Sequence, residues 1–358
     1  MISLRIPLSF LLILFVFISP YLGRNLIVPA IYIPIYLYGI YLFFIAKDWK
    51  MPFTYFSFIF LIILISFFNI HNTYSFSNSI IYLLMWVLNI FLAYVIEKYD
   101  KDNHAINSIS HLGFVLFFLL LYSFFASTSP SMFFGGMGIN INLVVFVLAI
   151  TFYQLFLKRK KILGSLFFTF ALLTLSRMQI LMQAAFIFFS NRFIRVIFYL
   201  SIPLIIYFLY SFLIKTSLIQ DFSIYLSSGV FIFSETIDDV RRIYLLIAGV
   251  ETVKELFPFG TGFGLENFKH HASQNITNAY TEDVRLSMTH NFYLSYLAVS
   301  GVMFFPLLFF IFLPLKKNTQ YRILYLIFLI GIAFNEYITA PFFWVVYALA
   351  MRNKLSND

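Results

Sequence analysis

Thr236-Ile-Asp-Asp-Val-Arg-Arg-Ile-Tyr-Leu-Leu-Ile-Ala-Gly-Val-Glu-Thr-Val-Lys-Glu-Leu-Phe-Pro-Phe-Gly-Thr-Gly-Phe-Gly264 lies inside the one strongly polar segment of this chain. From Lys215 to Thr289 the chain carries 15 of its 39 charged side chains, six basic and nine acidic. The segment closes on His290-Asn291, where a new apolar run begins. Nearly everything else is continuous hydrocarbon. That distribution is the pattern of a membrane-embedded protein with a single large aqueous loop, and it places the chemistry where the loop joins the bilayer.

Outward from that segment, composition sets the class. Of 358 residues, 61% are hydrophobic, 50 are Phe, 24 are Tyr and only 11% are charged, so repeated spans of about 20 apolar residues are expected. The absence of cysteine excludes disulfides, thiolate metal sites and a thiol nucleophile. A net charge of +9 resembles a nucleic-acid footprint until the charges are located. Most Lys and Arg lie in short connections between apolar runs, where orientation in a membrane accounts for them and a nucleic-acid partner does not. The first apolar run, Ile6 to Leu22, follows a single Arg5, lacks a small-residue cleavage site and leads into another run. It reads as a first transmembrane helix.

Apolar runs fall at about 6–23, 26–46, 52–70, 79–96, 106–127, 142–157, 194–214 and 291–315, each bounded by Pro, Asn, Gly or charge. Two further stretches, between Lys161 and Asn191 and between Arg322 and Arg352, hold 29 residues each. As single helices they would be about 44 Å long, against a hydrocarbon core of about 30 Å. Two short antiparallel helices in each satisfy length and charge, with tips at Ser176-Arg177-Met178-Gln179 and Asn335-Glu336-Tyr337. The expected fold is therefore an all-α polytopic membrane protein of about 12 crossings. Residues 1–214 hold nine of them, 215–289 form a large, partly helical external loop, and 290–358 hold the last three and a short tail. This drawing puts 16 of the 24 basic residues on one side, which is the cytoplasmic side by the positive-inside rule.

Arg177, with Ser176 beside it, sits at an expected hairpin tip. An arginine at a membrane edge is a functional candidate, and snorkelling to the interface is its plainer role. Thr236-Ile-Asp-Asp239 has capping-box spacing, which predicts a helix running to about Phe257 and stopped by Pro258. Spacing puts Arg242, Leu245, Leu246, Gly249, Val253 and Leu256 along one side, with Arg241 on another. Either arginine can instead belong to an ordinary ion pair with Asp238. Gly260, Gly262 and Gly264 lack the strand and helix context of a nucleotide-binding loop, so a bend returning the loop to the membrane is the expected role. His270-His271 has no third ligand at metal-site spacing. His290 is expected at the aqueous edge of a span, where a side chain is half desolvated yet exchanges protons with water, as a general base requires. A polar helix-start residue is the alternative, and Asn291 is its neighbour.

In chain order these pieces resemble the superfamily of bacterial O-antigen polymerases and O-antigen ligases. The match rests on Gly138-Ile-Asn-Ile-Asn142, on Leu175-Ser-Arg177, on Arg241-Arg242-Ile-Tyr-Leu245-Leu246 with Pro258-Phe-Gly-Thr-Gly-Phe-Gly264, and on His290-Asn291 with Gly301 after nine residues. Phe304 departs from the small or hydroxylated residue of the family pattern. The resemblance implies a GT-C type glycosyltransferase of the bacterial inner membrane, with its active site facing the periplasm. It would transfer a glycan from undecaprenyl pyrophosphate to a sugar hydroxyl, with no cofactor or metal and with a chain-length regulator as a candidate partner. It implies His290 as the catalytic base and Arg177, Arg241 and Arg242 as pyrophosphate ligands, with Asn291 and Ser176 in support. Polymerase is the expected activity, with ligase as the alternative within the superfamily and a lipid-linked sugar flippase as the alternative outside it.

Overall fold

The computed structural model describes residues 7–22, 30–46, 50–126, 128–137, 139–158, 160, 163–164, 238–275, 291–317, 319–333 and 337–352, and among them it is helical with no strand. In chain order the helices are α1 (Leu8–Leu22), α2 (Ile33–Ile45), α3 (Phe53–Phe68), α4 (Phe76–Tyr99), α5 (His104–Phe125), α6 (Pro130–Gly136), α7 (Ile141–Leu157), α8 (Asp238–Leu256), α9 (Leu265–Asn275), α10 (Phe292–Ser300), α11 (Phe304–Phe312), α12 (Arg322–Ile332) and α13 (Pro341–Met351). Among the described residues three stretches are long and apolar enough to cross a membrane by length and composition: Phe76–Tyr99, His104–Phe125 and, with its 3-10 turns included, Phe292–Lys316.

Helix α4 is the central post, with α2, α3 and α13 packed around it. In lipid, helices gain little from hiding apolar surface, so close packing of side chains must hold them together. Aromatic rings supply it here. Phe58 of α3 stacks on Phe310 of α11 at 4.8 Å and lies 5.8 Å from Trp344 of α13, which in turn meets Trp86 of α4 at 5.5 Å. Every residue of α13 is buried. Helices α5 and α7 approach more closely still, because the Thr151 side chain occupies the place of a side chain on Gly113.

Polar ties lock the end of the bundle that carries Lys50, Lys98 and Lys316. Arg352, just past α13, donates to the carbonyls of Ile96 (2.6 Å), Glu97 (3.2 Å) and Asp100 (2.6 Å) and to Asn103 Oδ1 (2.6 Å). It thereby caps the open carbonyls at the C-terminus of α4, where a cation also suits the helix dipole. Asp100 starts the next helix in the complementary way. Its carboxylate accepts from the amides of His104 (2.8 Å) and Ala105 (3.0 Å) and from the Tyr38 hydroxyl (3.0 Å).

Between Arg322 and Arg352 the structure has two short helices, α12 and α13. They run antiparallel: Thr319, before the first, bonds to the Ala350 carbonyl near the end of the second at 3.5 Å, and Tyr325 packs on Phe343 and Tyr347. The expected hairpin tip at Ser176-Arg177-Met178-Gln179 lies outside the described residues, as do Asn335 and Glu336.

The expected span 291–315 is where the structure differs. Gly301 takes φ 56°, ψ −135° and ends α10. The Tyr293 and Phe312 rings nonetheless stack, with centroids 6.4 Å apart, although a straight helix would separate their backbones by about 28 Å. The Tyr293 hydroxyl also reaches the Leu329 carbonyl at 3.1 Å, in the helix whose Tyr325 bonds to Ile311 of α11. Helices α10 and α11 are therefore folded back on each other. Asn291 lies about 13 Å along α10 from its Gly301 end. Periodicity alone misses this, because the run is apolar on both sides of the glycine.

Candidate functional site

Helix α8 begins at Asp238, two residues after Thr236, and ends at Leu256, before Pro258 closes it. Its buried side runs through Leu245, Ala248, Gly249 and Thr252. That line is rotated by about one position from the expected one, since Leu246, Val253 and Leu256 are only partly covered. Arg241 and Arg242 lie in the first turn by backbone position, and their side chains are outside what the structure describes. By position the two arginines stand four and three residues before Leu245.

After α8 the glycine-rich segment 258–264 is used for docking. The amides of Phe259 and Gly260 both bond to the Leu256 carbonyl, at 2.8 and 3.1 Å, while Thr261 and Gly262 donate to Ala298 and Val299 of α10 at 2.9 and 3.1 Å. In return Val302 donates to the Pro258 carbonyl at 2.8 Å. Four successive N–H groups are thus consumed within the protein, and none of these four is left to cradle a phosphate. A Cβ on Gly301 would overlap the Pro258 and Phe259 carbonyls, and one on Gly260 would overlap Val299. The close approach is what requires glycine at these two positions.

The connection between α3 and α4 holds the segment from its other side. Asn69 donates to the Val299 carbonyl (2.9 Å), Asn72 to Gly260 (3.0 Å) and Ser79 to Phe263 (2.7 Å). Asn267 of α9 accepts from the Ser75 amide at 2.6 Å and donates to Ser79 and Phe263. Phe263 is buried between Trp86 and Tyr296. These Asn and Ser residues escaped sequence reading. Their signal was the polar run from Asn69 to Ser79 between two apolar stretches, longer than a turn requires.

The two histidines of α9 serve packing. His271 Nε2 lies 2.8 Å from the Asn72 carbonyl, and His270 stacks on Tyr74 with centroids 4.0 Å apart. Among the described residues no three His, Asp or Glu side chains converge as a metal site. Asn291 is the N-cap of α10, its Oδ1 accepting from the Leu294 amide at 3.0 Å. His290, Ser176 and Arg177 lie outside the described residues. Near Gly138, Ile139 is buried and the Asn140 carbonyl accepts the first amides of α7.

The site assembled here is thus a junction: the C-terminal end of α8 and the Gly301 end of α10 are joined through 258–262, and the two helices pack together. Comparisons with protein-family models, curated proteins and solved structures find no match for this chain.

Proposed function

We propose that the chain is a membrane glycosyltransferase of the O-antigen polymerase and ligase type, acting as a polymerase of lipid-linked repeat units for O-antigen or capsule. In this reading it has about twelve crossings in a bacterial inner membrane, with the site facing the periplasm. The observation that supports it is the contact between Pro258 and Val302. Two stretches that carried the resemblance, Pro258–Gly264 and the region of Gly301, which follows His290-Asn291 after nine intervening residues, are far apart in sequence and meet in space. A scaffold with chance likeness gives no reason for them to meet.

The chemistry follows from the residue types. A departing pyrophosphate gains negative charge, and guanidinium groups at Arg177, Arg241 and Arg242 compensate it with paired, permanently charged donors. The attacking sugar hydroxyl loses its proton to His290, with Asn291 fixing the start of the helix beside it. Ser176 orients Arg177. Ligase activity, transfer of the finished glycan to lipid A core, uses the same groups. A flippase would need ionic groups along several spans, whereas the apolar runs of this sequence are nearly free of charge.

The test is transfer in purified form with a lipid-pyrophosphate-linked repeat unit. His290→Ala should abolish transfer while binding of the lipid donor survives, and chelator should change nothing. Full activity of His290→Ala removes the base; activity lost to chelator and restored by magnesium, manganese or zinc removes the metal-free mechanism. A deletion strain that still makes a full polymer ladder removes the polymerase reading itself.

A further inference from the structure

Tyr74 is 64% exposed although it stands on the connection that locks the glycine-rich segment in place. One face of its ring lies flat on the His270 imidazole, 4.0 Å away and tilted by only 8°. The backbone on either side is pinned, at Asn72 by His271 (2.8 Å) and at Ser75 by Asn267 (2.6 Å). The result is a rigid aromatic plate with one face covered and the other turned outward. Its surroundings are mixed: Ser77 is exposed, the Glu266–Lys269 ion pair (3.1 Å) lies on the turn of α9 just before His270, and Phe76 is exposed as well.

We propose that Tyr74, backed by His270, is a carbohydrate-binding platform that takes a pyranose ring of the glycan on its open face; this rests on the glycosyltransferase reading above. A pyranose ring presents a face of C–H bonds with slight positive charge, which fits the negative face of an aromatic ring. Its edge presents hydroxyls that both donate and accept, as Glu266 and Lys269 do together. The ion pair leaves this patch without net charge, which suits a neutral sugar rather than a phosphate. A tyrosine fixed in advance also loses little freedom on binding. The platform stands at the end of the bundle where 258–264 is docked, away from the Asn291 end of α10, so it holds chain that has left or has yet to reach the reacting groups. A bilayer anchor is the competing use of an exposed tyrosine, and the exposed Phe76 beside it would serve an anchor too, so the label experiment below decides between them.

The experiment uses the full chain in lipid nanodiscs, titrated with the surface polysaccharide released by mild acid from cells that carry the protein. Tyr74→Ser should weaken binding roughly tenfold, and Tyr74→Phe should stay within about twofold of wild type because it keeps the ring face. Unchanged binding in Tyr74→Ser overturns the proposal, as does failure of wild type to bind. A nitroxide on Tyr74→Cys should read as water-exposed; immersion among acyl chains overturns the proposal in favour of an anchor. Transfer assays on the same preparations separate the two readings. Polymer binding that depends on Tyr74 in a protein without transferase activity sinks the enzyme and keeps the platform, while full transfer with Tyr74-independent binding does the reverse.

Discussion

The ring of Tyr293 lies parallel to that of Phe312 within 9°, though nineteen residues separate them. This stacking reverses the depth order expected of a straight span. In a straight span that starts at 291 this position is shallow and 302 deep; in the hairpin, under the proposed topology, the end docked by 258–262 and with it 302 is outermost, and 291 is deeper. The chain has no cysteine, so single spin labels on Asn291→Cys and Val302→Cys report each depth directly. The label at 291 should be deeper by about 10 Å or more, and the opposite order would dismantle the hairpin.

Gly301 should tolerate no side chain. Its φ of 56° and the carbonyls of Pro258 and Phe259 both oppose a Cβ. Gly301→Ala is expected to destabilise the protein by roughly 1–3 kcal/mol, seen as a lower Tm in detergent. Gly135→Ala, where a Cβ meets open space, is the control. Equal melting of the two variants would mean that the junction does not depend on close approach.

The forked donors of the three arginines should matter, beyond their charge. Lysine keeps the charge and loses the forked donor, so Arg177→Lys, Arg241→Lys and Arg242→Lys should each lower transfer at unchanged protein level. The loss should be about tenfold or greater. Full activity in all three would remove the pyrophosphate role.

Arg352 and Asp100 allow a test remote from any chemistry. Arg352→Ala strips a guanidinium from three carbonyls and Asn103 and should cost about 2–3 kcal/mol. Burial lifts the Asp100 carboxyl above its usual range, against the pull of the Ala105 and His104 amides, the Tyr38 hydroxyl and Arg352. A value raised on folding adds stability that is complete below the unfolded pKa of ~4 and is lost as pH rises through the folded value. Asp100→Asn should therefore flatten the fall in Tm above pH ~4; an unchanged slope would assign that fall to other groups.

How much of this was legible depends on the kind of signal. The helices α3, α4, α5 and α7 follow from apolar runs with polar ends, and the end of α8 from Pro258. The break between α12 and α13 follows from a length that no single crossing accommodates. The fold-back at Gly301 does not, because apolar residues flank it on both sides and a lone glycine in a hydrophobic run is common in spans. The service of Asn69, Asn72, Ser79 and Asn267 was equally hidden: each bonds to a partner about 190 or more residues away, or to one that does. Local patterns carry no trace of such pairings. The glycine-rich segment was legible as a bend, while its partner, the far end of α10, was not.

The docking of 258–262 onto α10 also bears on how the protein is made. Breaking a helix at Gly301 detaches the carbonyls of Ala298 and Val299 from their usual acceptor role, and in the structure they are taken by Thr261, Gly262 and Asn69. Ala298 and Val299 are fully buried, so no solvent substitutes for those donors. The ribosome delivers Asn69 and then 258–262 before it delivers 298–302, so the donors are already waiting when the hairpin arrives. Insertion of α10 and α11 is in this sense vectorial: the earlier chain acts as an internal chaperone for the later, and a fragment beginning at Asn291 has no way to complete the bend.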